Sequence, residues 1–281
     1  MDWKPVPGHI MTRWAKEVTP ENAWREYPRP QMRRKQWLNL NGLWTFEVKP
    51  NEYHRAEGKN GEDLFNDSLH PSRLRGEILV PFPIESALSG VKHPLQSDEL
   101  LKYRRMFSIP SDWNGKRILL HFGAVDWETK VFVNGHLVGE HVGGYLSFWF
   151  DITDVLVKGE NELIVSVWDP TDSHWQQRGK QVLKPKTIWY TAVSGIWQTV
   201  WLEPVPQTYI SNMKITPDVD GRTVSVKVNL AGSQTGLDGV RVRVMDAGAL
   251  MAVGETDYAE TEIKITIPDP KLWSPDSPHY I

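Results

Sequence analysis

Asp169, Asp172, His174, Trp175, Gln176 and Arg178 fall within one ten-residue stretch. Carboxylates, a carboxamide and a guanidinium are the groups that hydrogen-bond a hydroxyl-rich ligand such as a sugar. The competing reading is a solvated loop whose charges serve no ligand. Asp98, in the loop spanning 83–100, is a second acidic candidate by position alone. Other chemistries find less material. The nine His form no pair at ligand spacing backed by carboxylates, so no metal site is expected. Gly143-Gly144 has neither the spacing of a phosphate loop nor a helix after it. The absence of Cys excludes a thiol nucleophile, a disulfide framework and thiolate metal sites. No cofactor is implied.

These residues must be held by strands. The stretch Ile118–Tyr145 carries the clearest signal. Its apolar runs Val131-Phe132-Val133 and Leu137-Val138 are separated by Asn134-Gly135, a dipeptide suited to a two-residue type I′ hairpin. Ile118–Phe122 supplies another strand upstream, and Phe148-Trp149-Phe150 one downstream. Trp44, Phe46 and Val48 alternate with polar residues, as do Tyr103, Arg105, Phe107 and Ile109. Leu163, Val165 and Val167 follow the same period, and so do Val200 and Leu202. The two prolines of Val80-Pro81-Phe82-Pro83 confine that strand to an edge or an end. Trp127, Trp149, Trp168, Trp197 and Trp201 lie on or beside these patterns and are read as core. Residues 1–35 form an irregular, Pro-rich arm, with a helical turn expected around 21–27. Its Arg33-Arg34-Lys35 is read as a solvated approach to the first strand. Short strands punctuated by Gly, Pro, Asn and Asp, with almost no helical periodicity, indicate an all-β sandwich.

The formal net charge of −3 favours neither nucleic acid nor an anionic membrane surface as partner. No apolar run is long enough to span a bilayer, and MDWKPVPG lacks the apolar core of a signal peptide. The compartment stays open: cytoplasm, periplasm or outside the cell. Of the 14 Trp, all but Trp273 precede residue 206. That shift places a domain boundary at Glu203–Pro206, giving a domain over 36–205 and another over 206–281. In the second, alternating runs at 224–230, 240–244 and 263–267, with a strand near 209–215, make about four strands.

Six stretches occur in order between residues 28 and 206: RPQMRRKQWLNLNGLWTF, VPFPIESALSGV, YRRMFSIP, HFGAVDWETKVFVNGHLVGEHVGGY, KGENELIVSVWD and SGIWQTVWLEPVP. Together they resemble the N-terminal region of glycoside hydrolase family 2, which includes β-galactosidases, β-glucuronidases and β-mannosidases, and most of all its β-galactosidase-like branch. The resemblance implies a jelly-roll sugar-binding domain over 36–205, then an immunoglobulin-like β-sandwich over 206–281. About four strands fall short of the seven or so of such a sandwich. The second domain is therefore expected to be incomplete, with an open edge able to recruit a second copy of the chain. Val224, Val226 and Val228, or Val240, Val242 and Val244, are expected to lack cover.

In the family, hydrolysis proceeds with retention through two glutamates on a (β/α)₈ barrel that follows these domains. No segment here has the barrel's alternation, so no catalytic residue is assigned. Asn161-Glu162 and Asn51-Glu52 match the family's Asn-Glu dipeptide only superficially, Asn161-Glu162 because it enters a strand of the sandwich. Family members also use an Asp six positions before the Gly of an SGI-like motif to contact substrate. Here the motif is Ser194-Gly195-Ile196, and the position holds Trp189. An indole there offers a stacking face for a pyranose, whereas the alternative makes Trp189 and Tyr190 core. The implied function is thus the non-catalytic part of a hydrolase of β-glycosides, bracing a barrel and shaping its substrate site. The alternative is a free-standing carbohydrate-binding or adhesion protein of two β-sandwiches, which would be expected to finish its second sandwich.

Overall fold

The computed structural model describes residues 3–7, 11–51, 72–233, 239–257 and 262–278. The chain divides into two compact units, Met1–Pro204 and Val205–Ile281.

The strands of the first unit are, in chain order, β1 (Leu38–Asn39), β2 (Gly42–Pro50), β3 (Leu74–Val80), β4 (Glu99–Ser108), β5 (Arg117–Phe122), β6 (Val125–Asp126), β7 (Glu128–Val133), β8 (His136–Val142), β9 (Phe148–Asp151), β10 (Glu160–Trp168), β11 (Gln181–Val182), β12 (Tyr190–Thr191), β13 (Gly195–Ile196) and β14 (Val200–Val205). Two sheets make a jelly-roll sandwich: six strands in the order β3-β2-β4-β10-β7-β8, and four in the order β1-β14-β5-β9. Pairing within both is antiparallel. The strand that runs into Pro81 is an edge strand, where the missing donor costs no ladder bond. Asn134 and Gly135 have φ of 51° and 80°, and Val133 pairs with His136, so the hairpin has the two-residue turn that its sequence dictates. Asn134 is also tied to its neighbours. Its Nδ2 donates to the Val155 carbonyl and to Asn161 Oδ1, each at 2.8 Å, and its Oδ1 accepts from the Glu162 amide at 2.9 Å.

Trp44, Phe46 and Val48 from β2, Tyr103 and Phe107 from β4, and Leu163, Val165 and Val167 from β10 face Ile118, Leu120 and Phe122 of β5 and Val200 and Leu202 of β14. Burying side chains of this size, each worth about 1.5–3 kcal/mol, is what holds the two sheets together. The Trp residues divide differently from expectation. Trp201 is buried, but Trp149 is exposed and Trp127, Trp168 and Trp197 are only half-buried, while Trp44 and Trp113 are core.

Both faces of β5 and β14 are buried, because the arm covers the back of the four-stranded sheet. Trp201 stacks on His121 at 4.0 Å and meets Tyr27 edge-on at 5.6 Å, and Trp37 meets both Tyr27 and Trp201 edge-on. Glu203, wholly buried beside them, accepts two bonds from Arg29 Nη2 at 2.9 and 2.8 Å and one from Arg34 Nη1 at 2.7 Å. Arg34 is therefore not a solvated charge: it and Arg29 fasten the arm. The arm's regular pieces are single 3-10 turns, Arg13–Glu17 and Pro30–Met32, and a plain turn stands where the helical turn was expected at 21–24.

Among the described residues the second unit holds five strands rather than four: β15 (Thr208–Asp218), β16 (Thr223–Gly232), β17 (Val240–Asp246), β18 (Ala249–Thr256) and β19 (Glu262–Thr266). They form one sheet ordered β15-β16-β19 and a β17-β18 pair. Val224, Val226, Val228, Val244, Ile263, Ile265 and Ile267 make its core. Val224, Val226, Val228 and Val244 are each buried, yet with Val240 and Val242 they line an open, largely apolar cavity of about 1040 Å³. The exposed apolar residues are instead Ile215, Val219, Leu250, Val253, Leu272 and Trp273. No helix is long and apolar enough to cross a membrane among the described residues.

Candidate functional site

The polar stretch after β10 is the start of a long excursion, 169–193, built in two layers. Its base is a buried acidic cluster. Asp169, only 2% exposed, accepts from the Thr171 amide at 2.8 Å and from Ser194 Oγ at 2.6 Å. Glu85, from the loop after β3, accepts from the Ser194 amide at 2.9 Å and from the Leu95 amide at 3.5 Å. Asp126, ending β6, accepts from Gln181 Nε2 at 3.3 Å, and Gln181 Oε1 takes the Val193 amide at 2.6 Å. Tyr103 adds its hydroxyl as acceptor for the Ile196 amide at 3.2 Å. Close approach is part of the design. Gly195 has φ +80°, and a Cβ there would lie 2.0 Å from the Tyr103 hydroxyl.

Taking three carboxyls out of water favours their neutral form. Burial pushes Glu85 up to about 7 despite the hydrogen bonds from Ser194. Burial, and then the neighbouring Asp169, push Asp126 up to about 7. Burial raises Asp169 too, against the Ser194 hydroxyl and the Thr171 amide. Tyr103 is raised by burial as well. Their hydrogen bonds pin the loop from below. Asp169 is accordingly a correction: its side chain anchors the loop from inside. Gln176 is buried with it, donating to the Thr171 carbonyl at 2.7 Å.

The outer layer meets solvent. Trp175 is 94% exposed, and Trp189 and Tyr190 are 42% and 66% exposed, so the core reading of that pair does not hold. The Tyr190 amide donates to the Lys180 carbonyl at 2.9 Å, and β11 and β12 pair in parallel. A tight turn closes from the Trp189 amide to the Lys186 carbonyl at 3.1 Å, with Thr187 at φ 55°. Asp172 Oδ2 accepts from the Leu183 amide at 3.2 Å. Asp172, Lys184, Lys186 and Trp189 then line one open groove of about 540 Å³. Arg178 is half-buried in the same excursion but does not line the groove. Nor does Asp98, which pairs with Arg73 at 3.0 Å. Glu162 sits in β10, paired with Arg104 at 2.5 Å, and buried Asn161 braces the hairpin. Glu52 lies outside the described residues. No group of three or more His, Cys, Asp or Glu is placed to hold a metal ion among the described residues.

Glu85, Asp126, Lys184 and Lys186 were not singled out in the sequence. Glu85 in VPFPIES and Asp126 in GAVDW do have a legible signal, an acid set among apolar residues. The lysines had none beyond their neighbourhood to Trp189.

A jelly-roll sandwich with one long, internally anchored aromatic loop is the class that fold and loop define. Residues 74–206 match the family model described as glycosyl hydrolases family 2, sugar binding domain. Among curated relatives, a β-galactosidase from Thermoanaerobacter pseudethanolicus is 28% identical over 187 residues, covering 63% of this chain and 24% of its own length. A β-glucuronidase from Paenibacillus borealis is 25% identical over 255 residues, covering 84% of this chain and 40% of its own. Among solved structures, the β-glucuronidase from Ruminococcus gnavus in complex with D-glucuronic acid superposes with a TM-score of 0.63 at 22% identity, over 88% of this chain and 42% of that one. The chain thus spans between a quarter and two fifths of the length of the proteins it matches here.

Proposed function

We propose that this chain is the non-catalytic, N-terminal part of a family 2 glycoside hydrolase, and that the loop 169–193 forms part of the rim of its substrate site. The observation that carries the reading is the two-layer loop. A fold that invests three buried carboxyls in fixing one excursion, and then exposes Trp175, Trp189 and Tyr190 on it, is holding apolar rings in place against water. Rigid, exposed aromatic faces suit the C–H face of a sugar ring. The similarity to β-galactosidases and β-glucuronidases, of which the chain spans only a part, supports the division of labour. The parent enzyme would act on a β-glycoside with retention, its carboxylate pair lying on a separate barrel.

Two measurements test this. The chain incubated with nitrophenyl β-galactoside, β-glucuronide and β-mannoside should give no turnover; turnover that vanishes on Glu162→Gln would overturn the reading. In the full-length parent, Trp189→Ala should raise KM about 5- to 30-fold, the loss of one stacking contact of ~1–2 kcal/mol, with the fold intact. An unchanged KM, or micromolar binding of a simple neutral sugar by the chain alone, would favour the free-standing binding protein instead.

A further inference from the structure

The rim loop carries a charge pattern that sugar stacking does not require. Between Ser173 and Leu202 the sequence has Arg178, Lys180, Lys184 and Lys186 and not one Asp or Glu, in a chain whose net charge is −3. None of the four cations makes an ion pair among the described residues. Lys180, Lys184 and Lys186 are exposed. Elsewhere in this unit several basic side chains are paired, Arg29 and Arg34 with Glu203, Arg104 with Glu162, Arg117 with Asp151 and Lys130 with Glu140. Exposed like charges on one loop repel modestly in water, and a bound anion would offset that repulsion together with the one carboxylate of the groove, Asp172.

We propose that this rim recognises an acidic oligosaccharide, a sugar chain bearing carboxylate or sulfate groups. The proposal rests on the rim reading above and names the class of ligand it takes. Three features converge in one groove. Trp189 offers a ring face for the apolar side of a pyranose. Lys184 and Lys186 line the same groove and supply positive charge for the anionic substituent. Asp172, held by the Leu183 amide through Oδ2, leaves Oδ1 to accept from a hydroxyl. That acceptor distinguishes a sugar chain from a nucleic-acid backbone, whose phosphates it repels and which offers it few hydroxyl donors. The groove's position is fixed rather than adaptive. Gln181 at the foot of the loop bonds Asp126 below, while the Lys186–Trp189 turn closes the tip.

The test is a titration of the full 281-residue chain, isotope-labelled, followed by the indole N–H resonances of its Trp. The ligands are tetragalacturonate, a sulfated tetrasaccharide, a neutral galacto-tetrasaccharide and a short oligothymidylate of equal charge. At low salt at least one acidic sugar should bind about 10-fold tighter than the neutral one, two exposed cations each contributing a few-fold. The preferred acid identifies the substituent as carboxylate or sulfate. At about 0.5 M salt the advantage should shrink to a few-fold or less. A double variant Lys184→Gln/Lys186→Gln should bring the acidic sugars to the neutral level and leave the neutral ligand unchanged, whereas Trp189→Ala should weaken all three. Equal affinity for acidic and neutral sugars overturns the inference and leaves the rim reading standing. Oligothymidylate binding as tightly as the acidic sugars overturns it as well, since charge alone would then explain the result. If no sugar perturbs Trp175 or Trp189, both readings fall.

Discussion

Replacing Glu203 by Gln retains the shape of the side chain and removes the charge that Arg29 and Arg34 bond. Burial alone would push this carboxyl up. The contact with His121 and the two guanidinium charges outweigh it and hold the group at about 2, against an ordinary 4.5. His121 is itself held below its ordinary value by burial, so at neutral pH the arginines carry the balance. A depressed carboxyl contributes stability that is fully present above its unfolded value and is lost as pH falls through its folded one. The window here runs from about 4.5 down to about 2. The difference corresponds to roughly 3 kcal/mol at pH 7. Breaking a buried pair by removing one partner typically costs ~3–5 kcal/mol. The arginine side chains are 25% and 19% exposed and can turn partly to water, which favours the lower end. Urea unfolding followed by Trp fluorescence reads the first unit almost alone, since all but one of the 14 Trp precede residue 206. The variant should be destabilised by about 3 kcal/mol at pH 7 and should converge on the wild type as pH approaches 2–3. Contributions from Glu85 and Asp126 cancel, because both proteins share them. A loss that is the same at pH 3 and pH 7 would show that shape rather than charge fastens the arm, and no loss at pH 7 would refute the pairing altogether.

The acidic cluster predicts the opposite sign. Asp126, held at about 7 in the fold and ionising near 3.8 when unfolded, loses its contribution as pH rises; Asp126→Asn should therefore stabilise the first unit by about 2–4 kcal/mol at pH 8 and by little at pH 4, and destabilisation at pH 8 in the same urea series would count against neutral carboxyls at the loop base. Gly195→Ala places a Cβ 2.0 Å from the Tyr103 hydroxyl at φ +80°, which should cost about 3 kcal/mol or more, read as a lowered unfolding midpoint; a midpoint within error of wild type would mean that Tyr103 has room to move.

What the sequence determined alone was local or periodic. The hairpin at Asn134-Gly135 is legible because a type I′ turn depends on two consecutive residues, and the alternations in β2, β4 and β10 because one face of each looks into the sandwich. The break near residue 205 shows in where the Trp residues stop. The ordered motifs carried the resemblance to family 2, because motif order survives when most residues change, and the family model matches over 74–206. Tertiary structure decided everything that depends on what lies opposite a residue. Period two cannot say that both faces of β5 are covered, so the roles of His121, Arg34 and Glu203 appear only when the arm packs on the sheet. Asp169 and Trp175 sit six residues apart in one polar loop, yet one is sealed inside and the other stands almost wholly in water. Nothing in their types separates them; Ser194, brought from 25 residues away, does. β18 escaped notice because its apolar residues do not alternate strictly: Leu250 is exposed while the adjacent Met251 and Ala252 pack on the core, opposite a register shift at Val244/Met245. The same logic holds for Lys184, Lys186 and Trp189, which become one groove only where the chain between Gln181 and Tyr190 is folded back and pinned to carboxyls from 85, 126 and 169. Those three carboxyls arrive from separate loops and strands, and their shared burial, rather than any spacing in the chain, is what raises all three.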